Sequence, residues 1–386
     1  MIELREFSVS FGKNRVLEGL NLLVEAGERV SVIGANGSGK STLALALAGV
    51  IPDFVEAHIS GTLSCKNAAL IMQNPSAQFF AMSVKEELGK QGLELAGELG
   101  LGHLIERNVF QLSEGEKQKV NLVANLSSGA KAIMLDEPLE LLDPKQAARF
   151  RALLGKVSEK TLLWFDREDP ALPKARKFFL GKQEEIALPA KQKFPAGKIA
   201  LSADFSLQKN GFSLGARFDL RQGEKIALIG PNGCGKTSLL KALAGIEKFK
   251  GRIECQGGFS FAPQNPSHLF FKETAAQELV QPENAKLLGI QGLLNQSPAL
   301  LSKGQQKMLG VAAINGRGVA LLDEPTTWLD RKNKALVYRF ISGRNQPMVI
   351  ATHDRGLLRY CDRIFLIEGG EVAECSSTAA NRFFQA

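Results

Sequence analysis

The sequence predicts an α/β fold built twice along one chain of 386 residues. Three observations predict it. First, two Gly-rich loops, GANGSGKST (34–42) and GPNGCGKTS (230–238), each follow a short apolar run of strand type, RVSVI or KIALI, and precede an Ala/Leu-rich stretch of helix type, LALALAG or LLKALAG. Second, two further apolar runs end in paired acids and a proline, AIMLDEPLELLD (132–143) and VALLDEPTTWLD (319–330). Third, the remaining matches keep the same order: MQNPSAQFF pairs with PQNPSHLFF, and LSEGEKQKV (112–120) with LSKGQQKML (301–309). An ordered set repeated once marks a tandem duplication.

Length alone suits two or three domains, and each half is long enough to bury its own core. The join falls in KQEEIALPAKQKFPAGKIAL (182–201), polar and Pro-bearing, the composition of a short exposed linker. The expected layout is a first domain over 1–187, a linker over 188–200 and a second domain over 201–386.

The formal charge of +8 is mild, and Lys and Arg are spread along the chain rather than clustered. It fits an anionic ligand or a membrane surface, and equally an ordinary solvated surface. The five cysteines (65, 234, 255, 361 and 375) form no CxxC pair, which argues against a zinc site, an iron–sulfur site or a disulfide framework. His58, His103 and His268 have no metal-ligand spacing and are expected at the surface or in loops. The N-terminus MIELREFSVS lacks a signal-peptide layout, and no apolar run reaches the ~18 residues of a membrane helix. A partner must supply any membrane-spanning part.

The Gly-rich loops match the P-loop pattern in its strand–loop–helix context. Backbone N–H groups of Gly34, Asn36, Gly37, Ser38 and Gly39, and of Gly230, Asn232, Gly233, Cys234 and Gly235, are expected to cradle polyphosphate. The positive end of the following helix, with Thr42 and Ser238 in its first turn, adds to the attraction. Lys40 and Lys236 should reach the β- and γ-phosphates, while the hydroxyls of Ser41 and Thr237 ligate Mg²⁺. Asp136–Glu137 and Asp323–Glu324 close apolar strands, so they are expected at the C-terminal edge of a parallel sheet, where ligands sit in such folds. The aspartates would hold Mg²⁺ through water, and the glutamates would orient or deprotonate the attacking water.

The LSxG segments complete the set, and here the chain resembles the ABC-type ATPases, whose signature is LSGGQ. The resemblance spans nearly all of both halves. It implies two P-loop NTPase domains of ABC type in tandem, each with a small helical subdomain, using ATP and Mg²⁺. It further implies two composite sites with pseudo-two-fold symmetry. Ser113 and Gly115 would cap the ATP held by Lys236, and Ser302 and Gly304 the ATP held by Lys40. Gln73 and Gln264 are expected beside the Mg²⁺ and the attacking water. The signatures depart from the family: Glu114 and Glu116 replace a glycine and a glutamine, and Lys303 replaces a glycine. Those carboxylates either repel triphosphate or sit at an exposed helix start, where the dipole favours them. Phe11 is a candidate for stacking on adenine in the first copy. The matching register in the second gives Lys209, with Phe212 nearby.

One position breaks the symmetry. The separation of Asp143 from Asp166 equals that of Asp330 from His353, so TLLWFDRED aligns with PMVIATHDR and Asp166 stands opposite His353. A one-residue slip would set Asp354 there and still leave the first copy without a histidine. In the family this histidine contacts the γ-phosphate. An ionised carboxylate cannot donate that hydrogen bond and repels the phosphate. Losing a charge-assisted hydrogen bond costs about 1.5–3 kcal/mol. The site of Lys40, Glu137 and Asp166 is therefore expected to hydrolyse poorly or only to bind. The site of Lys236, Glu324 and His353 would carry most turnover, although the Glu-bearing signature faces it.

Within the family, IPDFVEAHISGTL (51–63) and QNPSAQFF resemble the ATPase subunits of energy-coupling factor transporters, especially fused double ones. The tandem translation-factor type carries a long charged linker, and the ribosome-recycling type a Cys-rich iron–sulfur segment; neither is seen here. The stretches from Gln73 to Ser113 and from Gln264 to Ser302 are short for the helical subdomain that receives a coupling helix. The resemblance thus implies a peripheral subunit at the cytoplasmic face of the cell membrane. Its partners would be an integral membrane subunit and a substrate-binding membrane protein for a vitamin or metal ion. Nucleic acid is not expected, and no homodimer is needed. The alternative is a soluble tandem ATPase acting on ribosomes or nucleic acid.

Overall fold

The computed structural model describes residues 1–72, 78–140, 142–157, 159–169, 172–181, 186–195, 197–209 and 212–384. The chain divides into two compact units, Met1–Glu185 and Ile186–Ala386.

In the first unit, β1 (Ile2–Phe11), β2 (Asn14–Val24), β3 (Arg29–Ile33) and α1 (Lys40–Leu47) come first. They are followed by β4 (His58–Ser64), β5 (Ala68–Ile71), α2 (Val84–Ala96) and α3 (Glu114–Ser127). The unit closes with β6 (Ala132–Asp136), α4 (Pro144–Lys156), β7 (Thr161–Asp166) and β8 (Arg176–Phe179). A three-stranded antiparallel sheet runs β2-β1-β4, and a five-stranded parallel sheet runs β5-β6-β7-β3-β8. The parallel strands are continuous apolar runs because both faces are covered. β6 shows it residue by residue. Ala132 and Met134 join the core under α1, while Ile133 and Leu135 join the core under the other helices.

The second unit repeats the pattern with β9 (Ile199–Lys209), β10 (Phe212–Arg221), β11 (Lys225–Ile229), α5 (Lys236–Leu243), β12 (Lys250–Cys255) and β13 (Phe259–Ala262). Then come α6 (Glu283–Leu287), α7 (Lys303–Ala312), β14 (Val319–Asp323), α8 (Arg331–Ser342), β15 (Met348–Ala351), β16 (Arg363–Glu368), β17 (Glu371–Cys375) and α9 (Ser377–Phe383). One mixed sheet of nine strands runs β12-β9-β10-β17-β16-β11-β15-β14-β13. β17 joins the layers by pairing with both β16 and β10. Residues 182–185, which follow β8 in the first copy, lie outside the described residues.

Each helical subdomain is small. In the first unit it is α2, which breaks at Gly89 (φ 59°), packed on α3. In the second it is mostly single 3₁₀ turns around α6 and α7. The polar segment expected to be a solvated linker is partly tied down. Tyr360 Oη donates to the Pro189 carbonyl (3.0 Å), Ser342 Oγ to Ala190 (3.1 Å), and Lys191 Nζ to Cys361 (2.7 Å). Lys225 Nζ lies 4.8 Å from the centre of the Phe194 ring. All these partners belong to the second unit, so this stretch packs with it. The five cysteines are free thiols. No described helix is long and apolar enough to cross a membrane.

Candidate nucleotide sites

In both units the Gly-rich loop leaves the end of a central strand and turns into a helix. The turn requires glycine. Gly39 and Gly235 cap α1 and α5 with φ of 90° and 103°. A Cβ at Gly39 would lie 2.4 Å from Leu17 Cδ2, and one at Gly235 2.5 Å from the Phe212 ring. The Phe212 ring thus lies against the second P-loop, and the Lys209 side chain lies outside the described residues. Phe11 is half-buried against the core of its unit.

The lysines fold back over their loops in the same way. Lys40 Nζ donates to the carbonyls of Gly34 (2.7 Å) and Ala35 (3.0 Å), and Lys236 Nζ to those of Gly230 (2.7 Å) and Pro231 (3.0 Å). Burial holds the Lys40 ammonium below its ordinary pKa. Thr237 Oγ1 donates to Asp323 Oδ2 at 2.8 Å, and Ser41 bonds Asp136 likewise. The other oxygen of Asp136, Oδ1, is buried without a hydrogen-bond partner. A hydroxyl and a carboxylate side by side, with buried acceptor capacity to spare, fit a hard divalent cation such as Mg²⁺. Bound there, the ion would neutralise phosphate charge. Burial raises the pKa of both aspartates in its absence.

Glu137 and Glu324 follow the strand ends with the same unusual backbone. Each has φ of 49°, and each N–H donates at 2.9 Å to the neighbouring strand, Phe165 or Ala351. A non-Gly residue in the left-handed region costs on the order of 1–3 kcal/mol and is typical of functional positions. Around the two glutamates the copies part. Glu324 Oε2 accepts the backbone N–H of His353 (3.1 Å), and the imidazole Nε2 lies 3.7 Å from Oε1. Burial pushes the Glu324 carboxyl up to about 7.

In the first copy Asp166 does stand at the end of β7, but its carboxylate turns back. It accepts the indole N–H of Trp164 (3.1 Å) and the backbone N–H of Arg167 (2.7 Å). The expected open repulsion of phosphate is therefore replaced by a satisfied, half-buried acid whose pKa burial raises. The side chain reaching Glu137 is the next one, Arg167. Its guanidinium contacts Glu137 Oε2 and bonds Glu140 at 2.9 and 3.1 Å. Burial, opposed by Arg167 and aided by Glu140 and Asp166, pushes Glu137 up to about 9. Arg167 and Glu140 were not among the expected residues. The clue was a charge pair in one copy only, since the second copy has Asp354 and Thr327 there.

The signature serines cap α3 and α7. Ser302 N–H donates to Gln305 (2.9 Å), and its hydroxyl oxygen accepts the Gln305 N–H (3.3 Å). In the first copy both Ser113 N–H (2.8 Å) and Ser113 Oγ (2.7 Å) donate to the Glu116 carboxylate. Burial works against that charge. The Ser113 hydrogen bonds, with Lys119 and Arg107 nearby, still hold Glu116 below its ordinary range. Glu116 is thus a capping acid engaged with the signature serine. The Glu114 side chain lies outside the described residues.

Lys303 lies over the Trp328 ring, 5.3 Å from its centre, with Lys307 also 5.2 Å from it. Lys307, not foreseen, is buried and donates to the carbonyls of Gln264 and of Pro263 (3.3 Å), tying α7 to the Gln-bearing loop. Gln264 itself is exposed, and Gln73 lies outside the described residues. His58 and His103 are exposed, and the His268 side chain lies outside the described residues. Among the described residues no cluster of His, Cys, Asp and Glu forms a separate metal site.

The family model described as ABC transporter matches residues 17–140 and again 214–327. A Methanosarcina mazei protein named as an ABC transporter ATP-binding protein is 27% identical, covering 100% of this chain and 97% of its own length. That alignment runs over 485 positions, so the relative carries residues this compact chain does not. A Bacillus subtilis protein named as the HMP/thiamine import ATP-binding protein YkoD is 26% identical over 98% of this chain and 91% of its own. Among solved structures, one titled RNase-L Inhibitor aligns over 99% of this chain and 92% of its own with a TM-score of 0.76 at 21% identity. The archaeal ribosome recycling factor aABCE1, in complex with the stalk protein aP1, aligns over 98% and 92% with a TM-score of 0.75 at 21% identity. At that identity the likeness shows the fold alone. With both copies matched over more than half of its length, the chain belongs to the ABC transporter family as a tandem pair of ABC ATPase domains that bind ATP with Mg²⁺.

Proposed function

We propose that the chain is the ATP-hydrolysing subunit that energises a membrane importer of the energy-coupling factor type, taking up a vitamin or a metal ion. The observation that carries the reading is an exposed apolar patch in each unit, on the segment that follows the Gln-bearing stretch in sequence. In the first, Phe80 is 97% exposed and Met82 and Phe110 are exposed beside it, since Val109 N–H bonds the Met82 carbonyl at 3.0 Å. In the second, Phe271 is 83% exposed, with Leu269 and Leu300 also exposed. Both patches are held alike. Glu87 accepts the N–H groups of Phe80 and Ala81, and Glu278 those of Phe271 and Lys272. Apolar side chains kept in water suit a protein partner better than a phosphate backbone. The import role in the name of the Bacillus relative supports the same class of partner.

In this reading Lys40, Lys236 and the two P-loops hold triphosphate, and Ser41, Thr237, Asp136 and Asp323, with Gln73 and Gln264, serve Mg²⁺. Ser113, Gly115, Ser302 and Gly304 touch nucleotide. Glu324 and His353 carry most of the cleavage, and the first copy mainly binds. Co-purification with an integral membrane protein from detergent-solubilised membranes tests the role. Co-sedimentation with ribosomes, lost in high salt, would favour the soluble alternative instead.

A further inference from the structure

We propose that Arg167 is a positioning residue that parks Glu137 against Glu140 and keeps the first copy's site holding nucleotide with little cleavage. The proposal rests on the reading of Glu137 as the water-orienting base at a nucleotide site. Arg167 grips Glu140 through two nitrogens, at 2.9 and 3.1 Å, and the nitrogen at 3.1 Å also contacts Glu137 Oε2. All three side chains are 10–11% exposed. Lys40 Nζ stands 4.0 Å from the other oxygen of Glu137. The guanidinium thus occupies Oε2 of Glu137, an acceptor that would otherwise be open to orient a water. A forked, desolvated guanidinium pair also fixes direction, so Glu137 is held towards Glu140.

The second copy keeps the lysine, Lys236, but lacks the arginine–glutamate pair of this clamp. Thr327 and Asp354 stand where Glu140 and Arg167 do. Asp354 accepts from Tyr338 Oη (2.6 Å) and the Gly356 N–H (2.8 Å), while Glu324 meets the N–H of His353 (3.1 Å) instead. The chain therefore carries one glutamate set beside a histidine and one set beside an arginine, on the same backbone turn.

The test uses the full chain with Glu324→Gln, so that residual phosphate release reports the first copy. Adding Arg167→Ala, or Arg167→Ala with Glu140→Ala to remove the surplus buried carboxylate together with its cation, should raise kcat about 10-fold or more as the base is released. KM should stay within about two-fold, because the guanidinium does not hold substrate. Arg167→Lys, which keeps the charge but loses the fork, should give a smaller rise than the alanine variants. No rise or a fall in kcat in both alanine variants, with Mg-ATP binding still lowered by Lys40→Ala, overturns the clamp and makes Arg167 a phosphate-facing cation. If Lys40→Ala leaves the number of ATP molecules bound unchanged, the reading of the first copy as a nucleotide site fails, and the clamp with it.

Discussion

The two copies differ least where they hold phosphate and most where they would split it. Loop, lysine, hydroxyl and aspartate superimpose in kind and nearly in distance: Lys40 and Lys236 each make loop bonds of 2.7 and 3.0 Å. The glutamates share a φ of 49°, yet one meets a histidine and the other an arginine–glutamate pair. Holding a polyanion depends on backbone geometry that tolerates few changes. Cleaving it depends on one or two side chains at a strand end, and those can be exchanged without disturbing the fold.

The largest test of that contrast is to remove each glutamate. Glu324→Gln should lower phosphate release on the order of 10²–10⁴-fold, and Glu137→Gln by no more than about two-fold. Equal losses would break the asymmetry. A second test reaches the core beneath the first site. Trp164 is fully buried, packs on Phe150 with ring centres 5.9 Å apart, and bonds Asp166. Trp164→Ala should cost about 3–5 kcal/mol in denaturant unfolding. The facing residue in the second copy is already Ala351, so Ala351→Gly should cost far less.

The glutamates also predict overlapping pH windows for the ligand-free chain that differ at their upper ends. Both carboxyls titrate higher folded than unfolded, so the folded state keeps a proton the unfolded chain has lost, and stability falls as pH rises through that interval. For Glu324 the interval runs from 4.5 to about 7, and for Glu137 from 4.5 to about 9. Glutamine at either position should remove its own part of the slope, at most about 1.4 kcal/mol per pH unit. A loss of slope between about pH 7 and about pH 9 from Glu324→Gln, or none there from Glu137→Gln, would reject the assignment. The smallest effect is at the signature cap. Glu116→Gln, which copies Gln305, should free the Ser113 hydroxyl at a cost of about 0.5–1 kcal/mol in helix stability.

The P-loops, the Asp–Glu strand ends and the signature serines were all legible as local strings, because each needs particular residues at fixed spacing. The replacement of histidine by Asp166 was legible too, but its consequence was not. That Asp166 would turn to Trp164, and that Arg167 would reach Glu137, depends on how the sheet sets the ends of two neighbouring strands side by side. Glu116 could be read either as repelling triphosphate or as suiting a helix start, and only the bonds from Ser113 decide for the cap. Lys307 was hidden for another reason. A lysine inside a polar helix start looks solvated until the loop carbonyls that bury it are in place.

The strap formed by Pro189, Ala190 and Lys191 bears on how the gene can be cut. Expressing the carboxyl-terminal half from residue 201 would strip Tyr360, Ser342 and Lys225 of the neighbours that cover them and expose the outer edge of α8. A break placed ahead of Pro189 leaves those partners in place, so a carboxyl-terminal half begun there should fold more readily than one begun a dozen residues later.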